Sequence, residues 1–378
     1  MRAAMVWRCI FATCGRAACH ARYASFNFET TGTSFSCCKK VRGGGTLGGV
    51  RIESVHAFEN IISEENLLDA WRELRGKRNK RDVQTFEQNL IENIESLRED
   101  LSTGTYHHGT YEHFKINDPK PRDIHKASVR DRLVHHALYR QLYPFFDRTF
   151  ISDSYSCRMG KGTHKAMNRF RTFARKVSKN DTRTCWLLKC DIRKFFASID
   201  HATLLSIVRS RIPDERTVAL LERVIVSFHT PGKENTGLPL GNLTSQLLVN
   251  IYMNEFDQFA KHTLKAKSYI RYADDFVFLS EDRDWLVSLL PRIREFLHER
   301  LKLALHPRKV SIETLASGVD FLGWVHFPDH RVLRTSTKRR MLRNLQGEPS
   351  EERVASYRGM LGWGNAGKLK CHLPWKGR

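Results

Sequence analysis

Ser268-Tyr-Ile-Arg-Tyr-Ala-Asp-Asp-Phe-Val-Phe-Leu-Ser280 is the stretch on which the fold turns. Two adjacent carboxylates, Asp274 and Asp275, stand between short runs of aromatic and β-branched residues. Such runs favour strands. Neighbouring side chains in a strand point to opposite faces, so two adjacent carboxylates act together only where the chain reverses. The segment therefore predicts a hairpin with the Asp pair at its turn. Upstream, residues 186–190 form a second short apolar strand that runs into Asp191. If the two strands are neighbours, three carboxylates converge at one edge of a sheet. An isolated Asp-Asp is ordinarily a turn pair, and a lone Asp after a strand is ordinarily a helix cap. Aromatic strands on both sides of the pair, and a second strand ending in Asp, weigh against those readings.

The chemistry of such a cluster is specific. Carboxylates crowded together raise one another's pKa unless cations intervene. Mg2+ takes oxygen ligands, commonly a few carboxylates together with substrate phosphates. Two such ions, roughly 4 Å apart, activate an attacking hydroxyl and stabilise a leaving pyrophosphate.

Outward from this centre, apolar residues recur at helical spacing over residues 63–101, at Leu67, Leu68, Trp71 and Leu74, then at Phe86, Leu90, Ile94 and Leu97. Residues 106–124 alternate through Tyr111, His113 and Lys115 and read as strands. Residues 129–143 are again helical, with Pro144 expected to stop the helix. Further helices are expected over 202–211, 245–259 and 284–303, and strands over 319–327 and 331–333. The basic tail from Ser336 reads as partly helical. Helices and strands mix without βαβ regularity, which predicts an α+β fold. No internal repeat is evident.

The chain has 378 residues, enough for two or three domains, and a formal net charge of +22. That excess points to a polyanionic partner, because Lys and Arg displace counterions from phosphates. No apolar run approaches the roughly 20 residues of a membrane span, so no membrane partner is expected. Nine cysteines lack both zinc-site spacing and a disulfide framework, which suits a reducing cytoplasm. Residues 1–49 stand apart, with seven Lys/Arg, one acid, five of the cysteines and a Gly-rich end. They read as a disordered basic extension or as upstream sequence translated from a mis-chosen start, since globular patterning begins abruptly at Val50.

The YADD segment at 272–275 resembles the polymerase C motif of reverse transcriptases, and residues 189–200 (KCDIRKFFASID) resemble their A motif. The resemblance extends in order over about residues 105–365. Residues 120–138 and 153–166 resemble the fingers motifs, and 237–246 (GLPLGNLTSQ) resembles the B motif. Residues 303–309 resemble the D motif, and Phe321-Leu-Gly-Trp324 the primer grip. The resemblance implies a right-hand polymerase with fingers, a palm built on an antiparallel sheet, and a short helical thumb. It divides the chain into the extension at 1–49, mainly fingers at 50–185, a palm at 186–334 with a fingers return near 205–236, and a short basic thumb at 335–378.

The roles it implies attach to particular residues. Asp191, Asp274 and Asp275, with the carbonyl of Ile192, would hold two Mg2+ ions, Mn2+ substituting. Lys309 matches the general acid for departing pyrophosphate, a sensible place for a cation; the bland alternative is a solvated lysine. Phe196 matches the aromatic gate that excludes a 2′-hydroxyl, whereas Phe195 reads as core. Lys120, Arg122 and Arg130 are candidates for gripping the triphosphate, since cations and Arg forks suit phosphate oxygens; Arg132, next to Asp131, reads as structural. Gly160, Gly162 and His164 form a Gly-rich turn expected near the template. Leu240, Gly241, Ser245 and Gln246 would face the incoming nucleotide, and Phe321, Leu322, Gly323 and Trp324 the primer end.

The B segment departs from the usual pattern. Where most retroviral and group II intron enzymes have LPQG followed by Ser-Pro, this chain has Leu238-Pro-Leu-Gly241 followed by Ser245-Gln246. That form is similar to reverse transcriptases of diversity-generating retroelements, as is the tail over residues 356–365. The resemblance implies error-prone copying of a template RNA into cDNA. Its partners would be dNTPs, template RNA, a DNA primer or cDNA, and a small basic accessory protein, in a prokaryotic or phage-encoded cytoplasmic setting. Leu240 cannot hydrogen-bond a nucleotide, which offers a physical route to weaker rejection of wrong pairs. About 40 residues follow Ser336, too few for a maturase or endonuclease region, so a bare polymerase is expected. The alternatives are a group II intron-derived, defence-associated or CRISPR-linked enzyme, or an inactive RNA-binding scaffold on the same fold.

Overall fold

The computed structural model describes residues 58–75, 80–117, 121–371 and 373. The basic extension, Val50 and Lys120 lie outside the described residues. Over the helical pattern of 63–101 the chain forms α2 (Glu64–Leu74), α3 (Arg81–Gln88) and α4 (Leu90–Thr103), after a short α1 (Phe58–Ile62). Ser63 starts α2 by accepting the Asn66 N–H, and Gly104, with φ 77°, closes α4. The strands expected from residue 106 begin only at β1 (Glu112–Ile116), which pairs antiparallel with β2 (Arg122–Lys126). Ahead of β1, the Tyr106 hydroxyl and the Gly109 N–H donate to Asp131, so side-chain bonds hold this segment.

The helix α5 (Val129–Thr149) runs through Pro144, contrary to the expected stop. Proline removes the bond to the Arg140 carbonyl and costs ~3 kcal/mol in a helix interior. Leu142 and Phe146 are buried on either side of it, and their burial, at roughly 1.5–3 kcal/mol each, outweighs that loss. No helix is predicted at α6 (Thr163–Val177), because its abundant Lys and Arg mask the buried face of Ala166, Phe170, Phe173 and Ala174.

The central sheet holds β3 (Trp186–Asp191), β4 (Tyr269–Tyr272), β5 (Asp275–Ser280) and β6 (Ser311–Thr314), antiparallel in the order β4-β5-β3-β6. The edge strand β6 is absent from the sequence expectation. Between β3 and β4 come α7 (His201–Arg209), α8 (Glu215–Val226) and α9 (Leu243–Gln258); α10 (Arg283–Leu301) follows β5. One face of the sheet carries Leu188, Cys190, Phe276 and Phe278 into the large core with α9 and α10. The other carries Leu187, Ile270, Val277 and Leu279 against Phe170 and Phe173 of α6. Burial on both faces explains why these strands read as continuous apolar runs.

The strand expected over 319–327 is a hairpin, β7 (Val319–Phe321) and β8 (Trp324–His326), joined at Leu322 and Gly323. Both turn residues have positive φ, 54° and 86°, as a two-residue primed turn requires. The third strand is β9 (Arg331–Leu333). The tail forms α11 (Thr335–Asn344), α12 (Glu351–Leu361) and α13 (Gly367–Lys370), whose Met341 and Leu361 share a small core with Trp324. His164, at the start of α6, stacks on Trp363 at 3.7 Å. Among the described residues, no helix is long and apolar enough to cross a membrane.

Candidate active site

The β4–β5 turn is as tight as a hairpin allows. Tyr272 pairs with Asp275, leaving Ala273 and Asp274 as the two turn residues. Ala273 takes φ 56°. A left-handed conformation costs a non-glycine residue about 1 kcal/mol, so surrounding contacts must hold it. The Arg271 guanidinium does so, donating from Nη1 to the Ala273 carbonyl at 3.1 Å.

The antiparallel register places Asp191 directly opposite Asp275. The Ile192 N–H donates to the Asp274 carbonyl at 3.3 Å, tying the end of β3 to the turn. The three carboxylates therefore meet at one sheet edge, with Asp191 buried and the other two half-buried. Residues 303–309 run beside the end of β3: Arg193 N–H donates to the Ala304 carbonyl at 2.9 Å, and His306 N–H to the Asp191 carbonyl at 2.7 Å. That path brings the Lys309 ammonium to 2.9 Å from both carboxylate oxygens of Asp191.

Burial, and then the neighbouring charges of Asp274 and Asp191, push the Asp275 carboxyl up to about 6; the Lys189 and Lys309 cations oppose them. Asp274 is raised by burial and by Asp191, and is lowered in turn by Lys309 and Arg122. Among the described residues, no group of three or more His, Cys, Asp or Glu side chains is by itself arranged to hold a metal ion. The arrangement is instead an open set of oxygen donors under mutual repulsion. Such a set fits a hard divalent cation that completes its coordination with substrate phosphates and water.

Phe196 sits half-buried on a short turn, edge-on to the buried Phe195, with ring centroids 5.6 Å apart. Its carbonyl accepts the Leu238 N–H at 2.8 Å, which brings the A and B segments together. Leu240 is half-buried; its carbonyl accepts the His125 N–H of β2 at 3.1 Å, and the Asn242 amide donates to the His125 carbonyl at 3.0 Å. Gly241, with φ 111°, passes so close to β2 that a Cβ there would lie 3.1 Å from Ile124. Ser245, buried, and Gln246, half-buried, occupy the first turn of α9.

The basic candidates separate. Arg122 is exposed on β2, and its charge acts on Asp274. Arg130 is ion-paired with Asp100 and lies over the Tyr106 ring. Arg132 bonds Asp82 at 2.6 Å. Phe321 and Trp324 are buried and pair with each other directly beside the turn, whose tip is Leu322 and Gly323. The Lys189 ammonium donates to the Asp320 carbonyl, tying that hairpin to β3. Arg271 and Asp257, which carry no role in the sequence motifs, pair in full burial behind the turn. A cation in an aromatic strand and an acid in an apolar helix were the available signals.

The family described as "Reverse transcriptase (RNA-dependent DNA polymerase)" matches residues 115–326. Protein YkfC of Escherichia coli (strain K12) is 27% identical over 302 residues, covering 70% of this chain and 77% of that protein. Group II intron-encoded protein LtrA of Lactococcus lactis subsp. cremoris is 22% identical over 321 residues, covering 66% of this chain and 51% of that protein. This chain thus spans about half the length of LtrA. Apo telomerase from Candida Tropicalis superposes with a TM-score of 0.47 at 10% identity, over 68% of this chain and 52% of that one.

Proposed function

This chain belongs to the reverse transcriptase family, and from that membership we propose that it copies an RNA template into cDNA by two-metal nucleotidyl transfer. The observation that carries the proposal is the meeting of Asp191, Asp274 and Asp275 at one sheet edge, with Lys309 on Asp191. In this reading Asp191, Asp274, Asp275 and the Ile192 carbonyl hold two Mg2+ ions, with Mn2+ as a substitute. Bound there, the ions supply activation of the primer 3′-hydroxyl and charge neutralisation at the leaving pyrophosphate.

The chain's own residues do the rest. The Lys309 ammonium holds a proton at Nζ for the leaving group. Phe196 presents its ring where a 2′-hydroxyl would sit and so favours dNTPs. Arg122 is the best placed of the basic candidates to bind triphosphate, because its charge already acts on Asp274. Lys120 and Arg130 remain proposed contributors; Arg130 would have to leave Asp100 to serve. Leu240, Gly241, Ser245 and Gln246 line the nucleotide side, and the Leu322–Gly323 tip faces the primer. Residues 50–185 act mainly as fingers, 186–334 as palm and 335–378 as thumb.

The Leu240, Ser245 and Gln246 pattern supports an error-prone enzyme of the diversity-generating type, with template RNA, dNTPs and a small basic accessory protein as partners. The match with LtrA favours a second reading, an enzyme of group II intron descent. A near-repeat pair beside the gene, differing at adenines, would decide for the first. Primer extension on an RNA template with Mg2+ tests the chemistry. Wild-type protein should extend the primer and Asp274→Ala should not; equal signal from both would overturn the enzymatic reading.

A further inference from the structure

Arg271 has no part in the roles above, yet it is the largest charged side chain in the fully buried core. Its partner Asp257, on α9, is equally buried, both at 0% exposure. The guanidinium forks onto that carboxylate, Nε to Oδ1 at 2.8 Å and Nη2 to Oδ2 at 2.7 Å. Nη2 also donates to the Ser154 hydroxyl at 3.0 Å; Nη1 donates to Asn250 Oδ1 at 3.3 Å and to the Ala273 carbonyl at 3.1 Å. These five bonds use all five donors of an arginine. Lysine has three donors on a flexible stem and cannot reproduce the fork.

Three separate pieces of chain meet on this one group. Asn250 and Asp257 belong to α9, whose first turn carries Ser245 and Gln246. Ser154 belongs to a segment that runs beside β4: Arg271 N–H donates to the Asp153 carbonyl, and Tyr155 N–H to the Arg271 carbonyl, each at 3.0 Å. The third piece is the turn itself. The Ala273 carbonyl belongs to the peptide that leads into Asp274, so its direction sets how Asp274 leaves the backbone. A buried ion pair is a weak source of stability compared with apolar packing of the same volume. What an apolar residue could not supply is the donor aimed at the turn.

We propose that Arg271 is a positioning residue. It clamps the Ala273–Asp274 peptide to α9 and to the 153–156 segment, and thereby sets the aspartates for divalent-cation binding. The proposal rests on the reading of Asp191, Asp274 and Asp275 as the metal-holding set.

The test uses Arg271→Lys and the charge-neutral pair Arg271→Met/Asp257→Asn, the second because it leaves no lone buried charge. Direct Mn2+ binding by electron paramagnetic resonance and steady-state kcat and dNTP KM on an RNA template are the readouts. Both variants should bind Mn2+ at least tenfold more weakly. Their kcat should fall at least tenfold, with KM within threefold of wild type. Arg209→Met, at an exposed ion pair with Glu222, should change neither. If the double variant does not fold, Arg271→Lys decides alone. Wild-type Mn2+ affinity and turnover in a folded Arg271 variant would overturn the clamp, provided Asp274→Ala loses Mn2+. Mn2+ binding unchanged in Asp274→Ala as well would overturn the metal reading and the clamp together.

Discussion

Replacing Lys309 with methionine separates a catalytic proton from a structural ion pair. The ammonium lies 2.9 Å from Asp191, but the Lys309 side chain is 45% exposed. An ion pair so open to water contributes about 0–1 kcal/mol to folding. A general acid contributes about 10²–10⁴-fold to the rate, equivalent to roughly 2.7–5.5 kcal/mol of barrier. The two roles therefore predict different outcomes. Thermal melting should shift by only a few degrees, about what 1 kcal/mol produces in a chain of this size. Single-turnover incorporation on an RNA template at saturating dNTP should fall at least about 100-fold. Lys309→Arg keeps the cation near Asp191 but gives up its proton far less readily, so it should restore the melting temperature without restoring the rate. A folded Lys309→Met enzyme within threefold of the wild-type rate would refute the proton-donor assignment. So would Lys309→Arg matching wild type in rate, since charge alone would then suffice.

Other expectations follow from particular contacts. Leu240→Gln restores a hydrogen-bonding side chain beside the nucleotide and should lower misincorporation opposite template adenines; sequencing of cDNA products with an unchanged error spectrum would count against it. Burial holds the His326 imidazole down to about 4, against an ordinary value near 6.5. The unfolded chain therefore binds the extra proton between those values. Stability from this group is complete above about pH 6.5 and is lost as pH falls toward 4, by up to about 3 kcal/mol. Denaturant melts across that range should flatten in His326→Phe, and an equal slope would show that other groups carry it. A Cβ at Gly364 would lie 2.1 Å from the Trp324 ring, so Gly364→Ala must displace the indole that joins the tail to the β7–β8 hairpin. We expect a loss of about 1–3 kcal/mol by thermal or chemical melting. Gly359→Ala, in α12 with open space around it, should cost nothing.

Much of the site was legible because its parts are local. The aromatic and β-branched runs around Asp274 and Asp275 specify two strands and a turn within thirteen residues, and the structure forms that hairpin. Phe195 is buried and Phe196 half-buried against the same core. The errors fall where local rules compete with packing. Pro144 ought to end a helix, but the buried residues around it keep α5 going. The face of α6 that fills the second core is hidden in sequence among lysines and arginines.

The strand–turn–strand at 268–280 is legible from the chain alone because it depends on thirteen consecutive residues, and the α+β mixture because each element carries its own periodicity. That Asp191 faces Asp275, that Lys309 reaches Asp191 from 118 residues away, and that Arg271 anchors the turn to α9 emerge only when the chain is folded. Strand order and register are set by which faces can be buried together, and that depends on the whole core rather than on any one segment.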